Sequence, residues 1–357
     1  MTRLSTVSPA RPGLLGIALW PVDLLFWLLD RLSWTMDSSA VSQSAGAARI
    51  RRVLAALFLV YAVALSVLAV DRGGLPSWGQ VLMAVMALAL LANRGGRFVR
   101  DWVPVILGFV AYALAGQFAE RLDFAVHYKP QIDADRVIGL GTVPTLWLQH
   151  HLYHGTTGAL EIFSMVMYLS HFFAPLFLGL ALWWWMKGRG FSDLMFGLLI
   201  VSVLAEITFV LAPTAPPWLA AQHGLLPPVH HVIKQGLSDL HLGAAAAAYG
   251  SAGSYNVVAA VPSLHVAWPV IGLLVIRKHR LPRWLFAAQA AQLAGVIFAI
   301  VYTGEHYAFD AVAGAAYALA AWGLLSYAVR APGRLPGPAF VPGPRQPQVA
   351  LEVAHDR

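Results

Sequence analysis

"VPSLHVAWPV", residues 261–270, sits in an apolar run that extends over about 256–276, with a proline, a serine and a histidine near its outer end. A run of about 20 apolar residues is long enough to cross a bilayer as one helix. The rest of the chain argues for that use. Of 357 residues, 59% are hydrophobic and only 11% charged, with a mean hydropathy of +0.65. Soluble domains carry about 25% charged residues. The composition therefore predicts an all-α, polytopic membrane helical bundle. His265, an ionisable side chain inside such a run, then becomes a candidate for function.

Working outward, the same criterion gives about eight transmembrane helices, at 53–70, 77–92, 102–119, 162–186, 195–212, 256–276, 284–301 and 307–329; the second is the shortest. The net charge of +7 is concentrated in every second connection. Arg49, Arg51 and Arg52 precede the first span, and Arg94, Arg97 and Arg100 follow the second. Lys187 and Arg189 follow the fourth, Arg277, Lys278, Arg280 and Arg283 the sixth, and Arg330 and Arg334 the eighth. Basic loops mark the cytoplasmic side. Both termini are expected in the cytoplasm of a multi-pass cell-membrane protein, and the loops 71–76, 120–161, 213–255 and 302–306 face outward. The positive charge is thus explained by topology, and no nucleic acid partner is expected. The absence of cysteine excludes a disulfide framework and a Cys-based metal site. The Ala-rich, Arg-over-Lys usage points to a GC-rich bacterial genome.

The segment "GLLGIALWPVDLLFWLLDRLS", 13–33, is interrupted by Pro21, Asp23, Asp30 and Arg31. It is expected to be an interfacial helix rather than a ninth span or a cleaved signal peptide. The Pro/Gly-rich 331–357 reads as a disordered tail. The resulting division is a cytoplasmic N-terminus (1–52), accessory spans (53–119), an outer loop (120–161), a catalytic bundle (162–329) and the tail (330–357).

Polar motifs collect at one membrane level. In "YTGEHYAFD", 302–310, His306 and Asp310 are four apart and would share a helical face. A carboxylate on one ring nitrogen fixes the tautomer and leaves the other as a base or nucleophile. His306 is expected at a helix N-terminus, whose free N–H groups favour a phosphate. Gly304 would let a ligand approach the backbone. In "PSLH", Pro262 is expected in the first helical turn. Ser263 could then donate to a phosphoryl oxygen, and His265 could protonate a leaving group. "APTAPPW", 212–218, ends at the same level, so Thr214 joins Tyr302, Gly304, Pro262 and Ser263 as a candidate substrate-binding residue. The plainer alternatives are an interfacial His–Asp pair between helices, and a Ser cap beside a snorkelling His. His265, His306 and Asp310 could also be metal ligands, as could His150 and His154 of "HHLYH", 150–154. Asp310 as an orienting partner and an interfacial amphipathic helix with "LWLQHHLYH", 146–154, are the simpler explanations, so no metal and no cofactor are expected. His171 and Glu206 are ionisable residues within spans, "WWW" at 183–185 reads as an aromatic belt, and "GAAAAAYGSAGS", 243–254, as a flexible candidate lid.

These motifs resemble those of the type 2 phosphatidic acid phosphatase (lipid phosphate phosphatase) superfamily, in its inositol-phosphorylceramide-synthase-like, aureobasidin-resistance branch. "PSLH" resembles the Pro-Ser-x-His motif, "YTGEHYAFDAVAG" the His-x-x-x-Asp motif, "PTAPPW" an upstream Pro-Thr-Ala-Pro-Pro-Arg element, and "YLSHFFAP" a His-bearing span. The similarity covers about residues 160–329. It implies that His306 attacks phosphorus to form a phosphohistidine, Asp310 orients it, His265 protonates the leaving group, Ser263 holds the phosphoryl group and His171 lines the lipid cleft. It implies no metal.

Two positions depart from the pattern: Ile300 stands six residues before His306 where lipid phosphatases carry Arg, and Trp218 stands where related sequences often have Arg. Charge on the transferring group must be met by other donors: Lys234, Arg136, Lys129, His230, His231 or backbone amides.

The sequence thus favours a phosphotransferase acting on a phosphorylated lipid at the outer leaflet, for example moving inositol phosphate. A lipid or polyprenyl phosphate phosphatase is the alternative. A non-catalytic transporter or lipid-binding scaffold is the third, although no pair of matching broken spans is present in two halves.

Overall fold

The computed structural model describes residues 45–75, 78–119, 124–185, 189–249 and 256–330, with Leu28 and Leu122 as isolated positions. The expected interfacial helix at 13–33 (apart from Leu28) and the expected disordered tail at 331–357 lie outside the described residues.

The described residues are mostly helical. The chain begins with α1 (Ala45–Asp71), α2 (Trp78–Leu91) and α3 (Gly95–Ala119). Two short helices follow, α4 (Lys129–Ile138) and α5 (Pro144–Leu152), each with a proline in its first turn where a missing N–H is harmless. Then come α6 (Ala159–Trp185), α7 (Arg189–Leu211), and three more short helices, α8 (Pro217–Gln222), α9 (Val232–Asp239) and α10 (Gly243–Ala248). The chain closes with α11 (Leu264–Lys278), α12 (Arg283–Tyr302) and α13 (Ala308–Arg330).

Among the described residues, six helices are long and apolar enough to cross a membrane: α1, α3, α6, α7, α12 and α13. The other two expected spans are shorter, α2 with 14 residues and α11 with 15. At about 1.5 Å per residue, α11 covers roughly 22 Å, less than the roughly 30 Å of a hydrocarbon core. The expected sixth span therefore needs correction. Residues 256–263 are apolar but not helical.

The reason is hydrogen bonding supplied from elsewhere. Thr214 pairs with both neighbouring segments through isolated bridges to His127 and Ala259. Its N–H donates to the Val258 carbonyl, its own carbonyl accepts from Ala260 N, and its Oγ1 accepts from Val261 N at 2.9 Å. Non-helical backbone at membrane depth is tolerated where protein surrounds it and satisfies it. Pro262 thus precedes the helix by two residues instead of opening its first turn.

α11 is the centre of the bundle and packs on α6, α7, α12 and α13. Its C-terminal half carries Ile271, Val275 and Ile276 into a core shared with Leu178, Trp183, Leu194 and Val201. Its N-terminal half places Val266 with Met165, Tyr168 and Ile300. The crossing with α13 is tight because Gly314 lies against Ser263: a Cβ there would sit 2.3 Å from the Ser263 carbonyl oxygen. Small residues permit such close helix approaches. Peripheral α1 packs on α2 and leaves Leu57, Val60, Val63 and Val67 exposed, the pattern of a lipid-facing surface.

The two ends of the bundle differ. One carries the basic loops. There Arg94 and Arg97 donate to the Trp184 and Trp183 carbonyls, and Trp183 Nε1 donates to Asp101 at 2.8 Å. The expected aromatic belt is therefore divided: Trp183 is fully buried and structural, while Trp185 is exposed. The other end carries α4, α5, α8, α9, α10, the start of α11 with His265 and the turn that holds His306. The expected flexible lid is part helix there, since 243–248 form α10.

Candidate active site

Two short segments deliver the site. At the N-terminal end of α11, Ser263 holds the N-cap position, but its side chain makes no cap bond. Its backbone N–H donates to the Asp310 carbonyl at 3.1 Å, which ties the start of α11 to the first turn of α13. His265 then projects against α6, with its ring 3.9 Å from that of His171 and 4.3 Å from that of Tyr168. This packing fixes the imidazole in place.

His306 comes from the turn between α12 and α13. The expectation put it at the start of a helix; it lies two residues before α13. Its N–H and that of Glu305 both donate to the Ile300 carbonyl. The amides expected to be free for a phosphate are taken. Tyr307 N donates to Asp310 Oδ2 at 2.9 Å, and Ala308 N and Phe309 N donate to the Asp135 carboxylate at 3.1 and 2.8 Å. Asp310, at the third helical position, reaches back to the N–H of the residue before the helix, as in half a capping box. The first-turn amides of α11, at Leu264 and His265, remain without an intrahelical partner and receive no side-chain cap.

The two histidines meet. His306 Nε2 lies 3.3 Å from His265 Nδ1. On its other side, His306 Nδ1 lies 3.0 Å from the Ala260 carbonyl oxygen and 3.2 Å from Asp310 Oδ2. Both of these are acceptors, so Nδ1 carries the proton and Nε2 keeps a lone pair. His265 Nδ1–H can donate to that lone pair. Asp310 is fully buried, as is Ser263. Among the described residues, His265 Nε2, Ser263 Oγ, Asp310 Oδ1 and His171 Nδ1 have no hydrogen-bond partner. Buried polar groups are nearly always paired, so this cluster has hydrogen-bonding capacity left unused. No group of three or more His, Asp or Glu side chains among the described residues is arranged to hold a metal ion. His150 lies within α5 and His154 beyond its end, so that pair does not share a helical face.

Other expected residues serve the frame. Thr214 staples the 256–263 segment as described. Tyr302 donates its hydroxyl to Glu161 at 2.5 Å. Gly304 has φ of +79°, which a side chain would strain, and its open side is filled: a Cβ would lie 2.7 Å from Val229. It makes the turn that leads to His306. Glu206 of α7 is buried, with Oε1 unpartnered among the described residues, opposite Gly116 of α3. Trp218 is buried and lies flat on His231. Of the candidate cationic groups, Lys234, His230 and His231 gather around one cavity, whereas Arg136 is exposed and paired with Asp133 and Lys129 is exposed at the start of α4.

Asp135 was not singled out by the sequence. It is fully buried on α4 and caps α13 from 173 residues away. Burial raises its carboxyl to about 6, against the pull of the Phe309 and Ala308 amides and with a further push from Asp310. Within "KPQIDADRVI" nothing distinguishes it from a solvated acid on an amphipathic helix. The Ala260 carbonyl, which shares the His306 proton, carries no side-chain signal at all.

A family model described as the PAP2 superfamily matches residues 132–324. The phosphoinositol dihydroceramide synthase of Bacteroides thetaiotaomicron is 27% identical over 172 residues, 47% of this chain and 56% of that protein. The chain thus spans little more than half the length of that curated relative. No solved structure matches.

Proposed function

Because the chain belongs to the PAP2 superfamily, we propose that it is a membrane phosphotransferase acting on phosphorylated lipids at the outer leaflet through a phosphohistidine intermediate. The observation that carries this is the His306 ring itself. Its Nδ1–H is held by the Ala260 carbonyl and Asp310, and its Nε2 lone pair points at His265.

In the first half-reaction, His306 Nε2 forms a bond to phosphorus and the bond from phosphorus to the leaving lipid oxygen breaks. That oxygen takes a proton from His265, and the positive charge that develops on His306 is stabilised by Asp310. The phosphoryl group enters by displacing the resting His265–His306 contact. Ser263 Oγ and the Leu264 and His265 amides are the donors for its remaining oxygens. His171 lies against His265 on the apolar side and would line the lipid approach. In the second half-reaction, His265 takes the proton of an acceptor hydroxyl, the acceptor oxygen bonds to phosphorus, and the bond to His306 breaks. An inositol phosphate or a similar unit is the transferred group this reading favours, in line with the name of the Bacteroides relative.

Water in place of the lipid hydroxyl gives a phosphatase, and the same residues would serve it. The two are separated by following lipid products and free phosphate together in liposomes, with a panel of phosphoinositides and lipid phosphates and without added metal, beside His306→Ala. A new phospholipid lost in the variant is the expected result. Free phosphate lost in the variant would replace the transferase with the phosphatase. Silence in both, with folded protein, would leave a lipid-binding scaffold.

A further inference from the structure

At the end of the bundle that carries the site, two short elements are built in opposite senses. α9 has the pattern of a helix facing water: Val232, Ile233 and Leu237 are buried, while Lys234, Gln235 and Ser238 are exposed. The hairpin of α4 and α5 is inside out. Its buried residues are Gln131, Ile132 and Asp135 on α4, and Thr145 and Gln149 on α5. Its exposed residues around the turn are Val137, Ile138, Leu140 and Trp147, and Leu140 is 96% exposed. From Val137 to Gln149 the sequence carries no ionisable side chain. The polar groups on the buried side are used. Asp135 holds the Ala308 and Phe309 amides. Gln149 donates to the Tyr302 and His230 carbonyls, each at 2.9 Å, and accepts from His230 N–H at 2.8 Å.

The turn is finished for apolar surroundings. The N–H groups of Gly139, Leu140, Gly141 and Thr142 donate to the carbonyls of Asp135, Val137, Arg136 and Gly139. Four consecutive backbone donors are thus satisfied within the hairpin, as lipid requires of backbone that enters it. Leu140 has φ of +53°, a rare conformation for a leucine, and it stands at the apex between Gly139 and Gly141. Spanning helices fix the level of this apex. Asp135 holds the first turn of α13 and Gln149 the last residue of α12, and both helices are long and apolar enough to cross a membrane. Phe309, whose amide Asp135 holds, is exposed, and Val312 and Leu319 continue an exposed apolar surface along α13. Trp147 stacks on His151 at 4.4 Å between centroids. An amphipathic aromatic of this kind is enriched where a bilayer meets water.

We propose that the α4–α5 hairpin is an interfacial wedge: its turn, with Val137, Ile138, Leu140 and Trp147, inserts into the bilayer leaflet at the site's end of the bundle, and lipid is its partner. A protein partner would need groups that fix its register. The turn offers no ionisable side chain and no free backbone donor for that purpose, which suits a fluid apolar phase. The wedge extends the interfacial stretch expected at 146–154 back to Val137, and its apex is Leu140. Because its inner side holds Tyr302 and the start of α13, seating the wedge ties the frame of His306 to the bilayer surface. The inference does not depend on the phosphotransferase reading.

The chain has no cysteine, so Leu140→Cys can carry a single environment-sensitive fluorophore in the full-length protein. Ser238→Cys on α9 is the control. Both positions are exposed, so folding is not at risk. In phosphatidylcholine vesicles, emission from position 140 should lie to the blue of emission from position 238. Nitroxide-bearing lipids should quench position 140 severalfold more than position 238 and place it about 5–10 Å into the boundary between headgroups and acyl chains. Iodide, present on both sides of the bilayer, should show the reverse preference. A label at 140 as open to iodide as the label at 238 would overturn the wedge. A label shielded from iodide yet untouched by nitroxide lipid would assign the surface to a protein, a second copy or another, and would overturn it equally. Neither result bears on the transfer reaction, which the product assay above decides separately.

Discussion

Both ends of the bundle hold a histidine against an aspartate, and the two pairs are finished differently. At the basic end, Asp193 receives His279 Nε2 at 2.6 Å and Lys278 Nζ at 2.8 Å, and these residues join the start of α7 to the end of α11. At the other end, His306 and Asp310 are held just as firmly, yet Asp310 Oδ1, Ser263 Oγ and His265 Nε2 are buried without partners among the described residues. The first cluster joins helices and is complete. The second has the same residue types with bonding capacity left over, and that surplus is what the proposed reaction site has and the staple lacks.

The largest effects should therefore fall at the His306–Asp310 pair. His306→Ala should abolish turnover, a loss on the order of 10⁴- to 10⁶-fold, with the thermal midpoint little changed. Measurable transfer within tenfold of wild type would break the comparison. Asp310→Asn removes the charge opposite the developing imidazolium, and its amide can present an N–H to His306 Nδ1. A loss of about 10³- to 10⁴-fold is expected, chiefly in kcat, as seen in steady-state kinetics with the lipid donor. His265→Gln removes the acid and should reduce turnover about 10²- to 10⁴-fold, and a donor lipid with a better leaving group should recover part of that loss.

Smaller effects belong to the staples. Asp193→Asn should lower stability by about 1–3 kcal/mol and leave turnover per folded molecule within about twofold; a kinetic defect at constant stability would put function at the wrong end. Asp135 sharpens the comparison through pH. Burial holds its carboxyl at about 6 in the folded chain against 3.8 ordinarily. The folded state therefore binds the extra proton between those values, and stability falls as pH rises through that window. Asp135→Asn, which mimics the protonated form, should flatten that part of the profile of thermal midpoint against pH. An unchanged slope in the variant would show that Asp135 is not the titrating cap.

Much of this was legible before any coordinates, for identifiable reasons. Long apolar runs report membrane helices directly, and "PSLH" and "EHYAFD" place ionisable groups where lipid makes them expensive, so His265, His306, Asp310 and Ser263 stood out. What escaped depends on partners distant in sequence. The sixth span lost its first eight residues because Thr214, some 45 positions earlier, satisfies their backbone, and hydropathy has no measure of that. Asp135 caps α13 across 173 residues. The contact of Val229 with Gly304 is of the same kind. So are the contacts of His231, one of several nominal cations, with Trp218 and Glu305.

The most direct test of the account is to trap the intermediate. The full chain in liposomes, mixed briefly with phosphatidylinositol and quenched in alkali, where phosphoramidate bonds survive, should yield a peptide spanning 302–310 carrying the transferred phosphorus-containing group on His306 by mass spectrometry. The same peptide from His306→Ala should be unmodified, and adding a hydroxyl-bearing acceptor lipid should deplete the adduct in wild type. Transfer that proceeds with no adduct on His306 at any quench time, or with the adduct on His265 instead, would contradict the account.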